Sequence, residues 1–569
     1  MAKIGLTKYW IEIQATADDP AFLHLVQNVS GIHATRMRNK YRCSLRLLAD
    51  VLYYLRGDTL ETLPEGAARK ALLKEKERVE RTALLKKYGA DKEYPGLWDH
   101  QNLGVELAQV NPRYNFFYDT RTGKTRMSYQ IMLNALKEGK VRRCIVFTPS
   151  TIIKSWLKDA EEFPELKVVA FYGDDKKKFD ALNQPCHVVI WSAGMAVSYI
   201  DLIKACKFDM CFFDESSKMK DYKSQISKEM MDYALTVPYW YNLSATPAPN
   251  GEHEYYVQMR TIDPYAFNPA RTHFVTKYFD DISRSKYYPK LVIKHNMRDE
   301  FMSIVESCSI YVDQKVMPTA GKEWHDVFYQ MPSEAWACYE EMRENLAASA
   351  EGHNIVADSK VAMRAKLCQI TSGFVMDTDA IKQNKAARKI GLPSDEQETY
   401  IIAEAEEARL QALRLLIQSR MSSEQVVIWA NYKHEFISLQ RLFGSAARYV
   451  RGGTPIQEKE EAISLFKSGK LRYIVAHPLS IGMGINLTES CNAVYYSTSD
   501  SWEALKQSSE RIAGHIKVQP RKCHYWVLQA QSPSGAATVD TLVYDNVRNK
   551  RDASYGLLEY LKAGVLNGA

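Results

Sequence analysis

Two series of short, almost uninterrupted apolar runs constrain this chain more than any other feature. The first comprises Arg143–Phe147, Cys186–Trp191, Met210–Phe213 and Tyr239–Leu243. The second begins near Gln425 with Val426–Ala430, Ala447–Val450, Tyr473–Ala476, Ala493–Ser497 and His524–Leu528. Strands that do not alternate polar and apolar residues are buried on both faces, which is the condition of a parallel sheet covered by helices. Helical stretches separate the runs, so each series predicts one doubly wound α/β lobe. The stretch over 266–420 is mixed and partly helical, and belongs to neither series.

The chain before the first series has a different texture. Tyr9–Gln14 alternates like a strand and Asp19–Val29 has helical apolar spacing. Gly31–Arg36 and Tyr41–Leu45 read as a strand pair, and Leu47–Leu55 is helical again. Glu65–Lys87 alternates Ala and Leu with Lys, Arg and Glu, as a solvated connecting helix would. The expected organisation is a small α/β unit over 1–58, a charged helical connector over 59–92 and a first lobe over 93–265. A mixed extension over 266–420 and a second lobe over 421–569 follow.

Composition narrows the setting only slightly. The 75 Lys and Arg exceed the 68 Asp and Glu, giving a formal charge of +7, which permits a polyanionic partner without naming one. The 10 cysteines occur singly, with no Cys-x-x-Cys pair, so reduced cytosolic thiols are expected and a structural zinc site is not. The first residues hold no apolar core of secretory length, and no window approaches the roughly eighteen apolar residues of a membrane span. A cytoplasmic location is therefore expected, with no membrane partner.

The chemistry concentrates at the ends of the first series. Asp119-Thr-Arg-Thr-Gly-Lys-Thr125 follows the apolar Phe116-Phe117. A strand feeding a Gly-Lys-Thr turn and then a helix makes a cradle of backbone N–H groups for phosphates. Thr122, Gly123, Lys124 and Thr125 would bind ATP, with Lys124 on the β- and γ-phosphates and the Thr125 hydroxyl on Mg2+. The pattern is irregular, because Tyr118 takes the place of the usual first glycine and Arg121 that of another. Met210-Cys-Phe-Phe-Asp214-Glu215 is an apolar strand ending in two acids. Asp214 can hold Mg2+ and Glu215 can orient and deprotonate an attacking water. Leu243-Ser-Ala-Thr-Pro247 closes another strand, and Gln101, upstream of the loop, has an amide suited to reading adenine.

Taken in order, these residues resemble the Swi/Snf-type branch of superfamily 2 helicases and translocases over roughly 93–550. Thr148-Pro149-Ser150 and Ser244-Ala-Thr246 are similar to further motifs of its first lobe. Leu367-Cys-Gln-Ile-Thr-Ser-Gly-Phe374 is similar to a helical stretch between its lobes. Val427-Ile-Trp-Ala-Asn431 looks like the opening strand of its second lobe. Ser480-Ile-Gly-Met-Gly-Ile-Asn-Leu487 resembles the motif that links DNA to ATP, with Gly484 on the ATP side. Gln507-Ser-Ser-Glu-Arg511 matches the start of the last motif, which implies that Arg511 touches the γ-phosphate. The second arginine of that motif is replaced by Gly514, and Lys517 is the nearest substitute. Lysine lacks the fork of a guanidinium, so hydrolytic power is in question.

The resemblance implies two RecA-like doubly wound lobes with helical extensions, preceded by a small α/β domain. It implies an ATPase that uses ATP and Mg2+, with Lys124, Asp214, Glu215 and Arg511 catalytic. Thr148, Ser150, Ser244, Thr246 and Ser480 would hold nucleic-acid phosphates without reading bases. The N-terminal unit is similar to the substrate domain of annealing helicases of the HARP type and of the bacteriophage branch-migration helicase UvsW. Arg36 and Lys40 on its hairpin would then touch DNA. Compact length by analogy suggests a phage or bacterial protein, acting in a bacterial cytoplasm. The expected activity is remodelling of double-stranded or branched DNA. An ATP-gated DNA clamp with weak hydrolysis and an RNA helicase are the alternatives. The aromatic stretch Tyr255-Tyr256 to Tyr265-Ala-Phe267 is expected to pack rather than to stack on bases.

Overall fold

The structure, a computed structural model, describes residues 3–7, 10–55, 65–173, 175–283, 290–350, 353–389, 397–481 and 485–549. They divide into two compact units between Val316 and Met317.

The first unit starts with a small antiparallel sheet of β1 (Lys3–Leu6), β2 (Trp10–Gln14), β3 (His33–Ala34) and β4 (Lys40–Ser44), in the order β1-β2-β4-β3. Ile11 and Ile13 alternate inward from β2 and pack on Phe22 and Leu25 of the helix Pro20–Asn28 and on Leu48 and Val51 of Leu48–Tyr54. Asp19 caps the first helix by accepting from the Phe22 amide at 3.0 Å, and Pro20 fits its first turn because no N–H is needed there. This small core is joined to the rest of the unit by polar bonds. Arg46 donates to the Ala266 carbonyl at 3.2 Å and to Ser307 Oγ at 3.0 Å, and Ser44 bonds Asp263.

The helix Glu65–Tyr88 is less solvated than its charge pattern predicts. Arg81 reaches the buried Glu106 at 2.9 Å, Thr82 Oγ1 accepts from Asn111 at 3.0 Å, and Lys86 donates to the Glu306 carbonyl at 2.6 Å. A helix docked through polar contacts leaves no apolar stripe to be read.

Seven parallel strands form the main sheet of the first unit. They are β5 (Arg113–Tyr118), β6 (Cys144–Thr148), β7 (Val168–Phe171), β8 (Val188–Ser192), β9 (Met210–Asp214), β10 (Tyr239–Leu243) and, after an antiparallel pair β11 (Phe279–Asp281) and β12 (Leu291–Ile293), β13 (Ser309–Val312). Their order is β13-β5-β10-β9-β6-β8-β7. β6, β8 and β9 are buried at every position, as their apolar sequences up to the last residue require. The core extends through Tyr255, Tyr256, Phe267, Phe274 and Phe301, so the aromatic stretch is packed as expected.

The second unit holds a six-stranded parallel sheet. Its first member, β14 (Lys322–Gln330), precedes two antiparallel pairs, β15 (Ala347–Ala350) with β16 (His353–Val356) and β17 (Phe374–Met376) with β18 (Thr399–Ile401). Then come β19 (Val426–Trp429), β20 (Ala447–Val450), β21 (Tyr473–Ala476), β22 (Asn492–Tyr495) and β23 (Cys523–Gln531), in the sheet order β14-β23-β22-β19-β21-β20. A helix over 539–549 follows. Among the described residues no helix is long and apolar enough to cross a membrane.

The stretch Leu367–Phe374 is fixed by two devices. Gly373 turns the chain after the helix Lys360–Thr371 with φ of +86°, and a Cβ there would lie 2.4 Å from Glu406 Cα in the helix Ala403–Arg420. Arg409 of that helix is buried and donates to the carbonyls of Thr371 and Tyr496 at 2.9 and 2.8 Å, with Asp540 at 3.2 Å as its counter-ion. Burial opposes the guanidinium charge, yet Tyr329, Asp540 and Glu435 hold its pKa above the ordinary value.

Gly373→Ala should therefore lower the stability of the second unit by about 2–4 kcal/mol, combining backbone strain with a backbone clash. Gly535→Ala is the control, since Gly535 has the same φ of +86° but nothing within 4 Å of its Cβ position. Calorimetry of the full chain should show a clearly larger loss for Gly373→Ala; equal losses would refute the clash.

Candidate functional site

The carboxyl ends of β5, β10, β9 and β6 are adjacent in the sheet of the first unit. Each carries one of the sequence's candidate elements, so the sheet order brings together segments far apart in the chain. This is the edge at which open parallel sheets place ligands.

The turn after β5 is held from below by Gln101. Its Nε2 donates to the Gly123 carbonyl at 2.9 Å, and its Oε1 accepts from the Trp98 amide at 2.8 Å. Gln101 is fully buried, and both ends of its amide are spent on the loop and its own helix, Asp99–Val110. Expected as a reader of adenine, Gln101 here spends its amide on the 119–125 turn and on Trp98. His100 adds a bond from Nε2 to the Thr122 carbonyl at 2.8 Å. Gly123 has φ of +75°, and a Cβ on it would lie 2.0 Å from Gln101 Nε2. Arg121 also lies in the left-handed region, at φ of +63°, where glycine costs least. Thr122 is buried, with its hydroxyl bonded to the Asp119 carbonyl at 2.7 Å. Lys124 opens the helix Lys124–Lys137 and donates from Nζ to the carbonyls of Tyr118 and Asp119 at 2.9 and 3.2 Å. Thr125 follows in the first turn.

Asp214 ends β9 as a buried carboxylate with a full set of donors. Trp156 Nε1 reaches Oδ2 at 3.0 Å, Thr148 Oγ1 reaches the same oxygen at 3.2 Å, and the Glu215 amide reaches Oδ1 at 3.0 Å. Burial raises its pKa, against the charge of Lys124 and these hydrogen bonds, which favour the anion. Glu215 has φ of +53°, a costly conformation for a residue with a side chain and one that recurs at functional sites. The left-handed turn ends the strand and starts the short 3-10 turn Ser216–Met219.

The placement of Thr148 corrects one expectation. Expected on DNA phosphates, it is wholly buried at the end of β6 with its hydroxyl on Asp214, and so sits with the acid pair. Ser150, two residues on, is exposed. Ser244 directly follows β10 and is buried, its hydroxyl accepting from the Thr246 amide at 3.1 Å. The Thr246 hydroxyl is buried without a hydrogen-bond partner among the described residues.

In the second unit, Arg511 follows the helix Trp502–Ser509 and is largely buried, with one guanidinium nitrogen 3.4 Å from the Ile485 carbonyl. The Leu487 amide donates to the Arg511 carbonyl at 2.7 Å, which ties the last motif to the Ser480–Leu487 stretch. Gly484 lies outside the described residues; Ser480 is half-buried, its amide on the His477 carbonyl at 2.9 Å. Gly514 is buried and Lys517 is exposed. In the N-terminal sheet Arg36 is exposed at the turn, whereas Lys40 is half-buried and paired with Glu12 at 3.2 Å.

Sequence reasoning missed Trp156 and His100, which act by position alone. It also missed a cavity of about 750 Å³ at the carboxyl edge of β19, β20 and β21, lined by Lys433, Arg451, Gly452, Gly453, Thr454 and His477. Arg451-Gly-Gly-Thr454 directly after an apolar strand was the available signal.

A model of the SNF2-related domain matches residues 57–371, more than half of the chain. The chain belongs to the SNF2-related family. In this SNF2-related chain the helicase conserved C-terminal domain matches residues 408–514, and the two together make it a nucleic-acid-dependent ATPase and a helicase-like translocase. Among its relatives is putative protein p41 of Acyrthosiphon pisum secondary endosymbiont phage 1, 23% identical over 495 residues, covering 81% of this chain and 98% of that protein. RNA polymerase-associated protein RapA of Haemophilus influenzae is 25% identical over 185 residues, 30% of this chain and 20% of RapA. The Sulfolobus solfataricus SWI2/SNF2 ATPase core in complex with dsDNA aligns over 79% of this chain and 90% of its own at 17% identity, with a TM-score of 0.38.

Trp156→Phe tests the environment of Asp214. A hydrogen bond to a charged group contributes about 1.5–3 kcal/mol, so kcat should fall by about ten- to a hundredfold with little change in KM for ATP. Unchanged kcat would show that the indole N–H does not position the carboxylate.

Proposed function

We propose that this chain is an ATP-driven motor on double-stranded DNA, acting at forks or branched molecules by regression, branch migration or strand annealing. The observation that carries the reading is the convergence of the 119–125 loop, Asp214-Glu215 and Ser244–Thr246 on neighbouring strand ends of one parallel sheet.

In this reading Thr122, Gly123 and Lys124 hold the phosphates, and Thr125 and Asp214 hold Mg2+. These residues suit the ion: a hydroxyl and a carboxylate are the hard oxygen ligands it prefers. When bound, Mg2+ supplies charge neutralisation on the phosphates. Glu215 orients the attacking water and takes its proton, and Arg511 is the residue assigned to the γ-phosphate. Gln101 and His100 keep the loop open for phosphate by holding the carbonyls of Thr122 and Gly123. The Ser244–Thr246 turn senses occupancy, because the buried Thr246 hydroxyl is available to a new acceptor.

DNA phosphates would lie against Ser150, Ser480 and the cavity of Lys433, Arg451 and Thr454, whose charges and hydroxyls suit a backbone grip with no base readout. The aromatic side chains of 255–267 are packed inside, so they offer no stacking platform for single strands. Arg36, exposed at the turn of the N-terminal sheet, would meet the branch. The phage relative is consistent with a role on phage or bacterial-host DNA in the cytoplasm.

Steady-state hydrolysis should rise most with forks or four-way junctions, less with linear duplex and least with single strands or RNA. Stimulation should weaken steeply with salt, as counterion release requires. Lys124→Ala and Glu215→Gln should each reduce turnover by at least about a hundredfold, with Glu215→Gln retaining ATP binding. Full activity in both variants would overturn the assignment. Greatest stimulation by RNA would replace the DNA reading with an RNA helicase. Tight ATP binding with negligible hydrolysis on every substrate would make Gly514 the mark of an ATP-gated clamp.

A further inference from the structure

The ten single cysteines argue against a zinc site, but the ligands for one need not be cysteines or neighbours in sequence. β14 and β23 run parallel, with Glu323 opposite His524 and His325 opposite Trp526. Residues two apart share a face of a strand, so Glu323, His325 and His524 project to one side of the sheet. Their donor atoms converge. His325 Nε2 lies 3.0 Å from His524 Nδ1, and Glu323 Oε2 lies 3.8 Å from that same Nδ1. All three donor atoms fall within 4.8 Å of one another.

We propose that Glu323, His325 and His524 form a binding site for a late first-row divalent cation, zinc above all, that fastens β14 to β23. Tetrahedral coordination with bonds of about 2.0–2.1 Å places donors about 3.3 Å apart, and the three atoms already bracket that spacing. Imidazole and carboxylate donors suit zinc, cobalt, nickel and copper rather than magnesium. Trp526 stacks on the His325 ring at a 4.0 Å centroid distance and 18° between planes, which fixes the orientation of that ligand. Two contacts compete: the hydrogen bond between His325 Nε2 and His524 Nδ1 must be given up, with loss of its proton, and a lysine holds the carboxylate. Lys522 Nζ pairs with Glu323 Oε2 at 3.2 Å and must be displaced when the carboxylate turns to the ion.

β14 is the edge strand through which the chain enters the second unit's sheet, so an ion here would hold that edge.

The test uses the full, untagged chain after treatment with chelator. Titration with Co2+ should give ligand-field absorption that saturates at one equivalent, and Zn2+ should bleach it while Mg2+ in excess should not. Zn2+ should also raise the melting temperature of the second unit. His325→Gln combined with His524→Gln should abolish the cobalt spectrum and the thermal shift. Lys522→Met, which removes the competing ammonium, should tighten binding several-fold. Absence of the spectrum in the parent chain, its persistence in the double variant, or no tightening in Lys522→Met would overturn the proposal. The last of these decides the matter even if the double variant fails to fold.

Discussion

A carboxylate removed from water must be hydrogen-bonded and matched by charge, or it takes up a proton. Asp214 meets that demand with donors drawn from three places: the indole of Trp156, the hydroxyl of Thr148 and the amide of Glu215. Lys124 supplies the opposing charge from the turn after β5. Satisfying this one group therefore fixes the ends of β6 and β9, the helix Ile153–Ala160 and the mouth of the loop after β5 in mutual register. The parallel sheet makes this economical, since every strand delivers its last residue to the same edge.

The second unit solves a related problem with the charge reversed. Arg409 is buried among carbonyls from the Leu367–Phe374 stretch and from the residue after β22, with Asp540 opposite. A buried ion pair of this kind contributes little net stability, but removal of one partner leaves a costly unpaired charge. Its effect is geometric. The stretch that the sequence marks out between the two apolar series is anchored to strand ends of the second sheet, and Gly373 lets the helices approach closely enough for this anchoring.

The two lobes were legible because the physics of burial writes itself into composition. β6, β8, β9, β10, β19 and β21 are apolar nearly throughout, and their positions follow from the sequence within a residue or two. β7 and β14 were not legible, for opposite reasons. β7 is an edge strand, only half-buried at three of its four positions, and lies outside the runs of fully buried strands. β14 is also an edge strand, but its Lys-Glu-Trp-His-Asp-Val-Phe-Tyr-Gln sequence mixes charge and aromatic residues as a half-exposed surface does. The acid pair and the Gly-Lys-Thr turn were readable because their chemistry fixes both residue type and spacing. Trp156, His100 and the buried state of Thr148 were not, because each depends on a tertiary neighbour that no local pattern encodes. Gln101 was singled out as an adenine reader, while its contacts with Gly123 and Trp98 could only come from the fold.

The near-collision of Gly123 with Gln101 has an evolutionary consequence. The glycine is required twice, once by the amide pressing on its Cβ position and once by its left-handed backbone. The glutamine is required once. Drift can thus begin at position 101, where a smaller side chain would open space, but that space would not release position 123, because the backbone demand remains. Of two mutually constraining residues, one keeps its history reversible and the other does not.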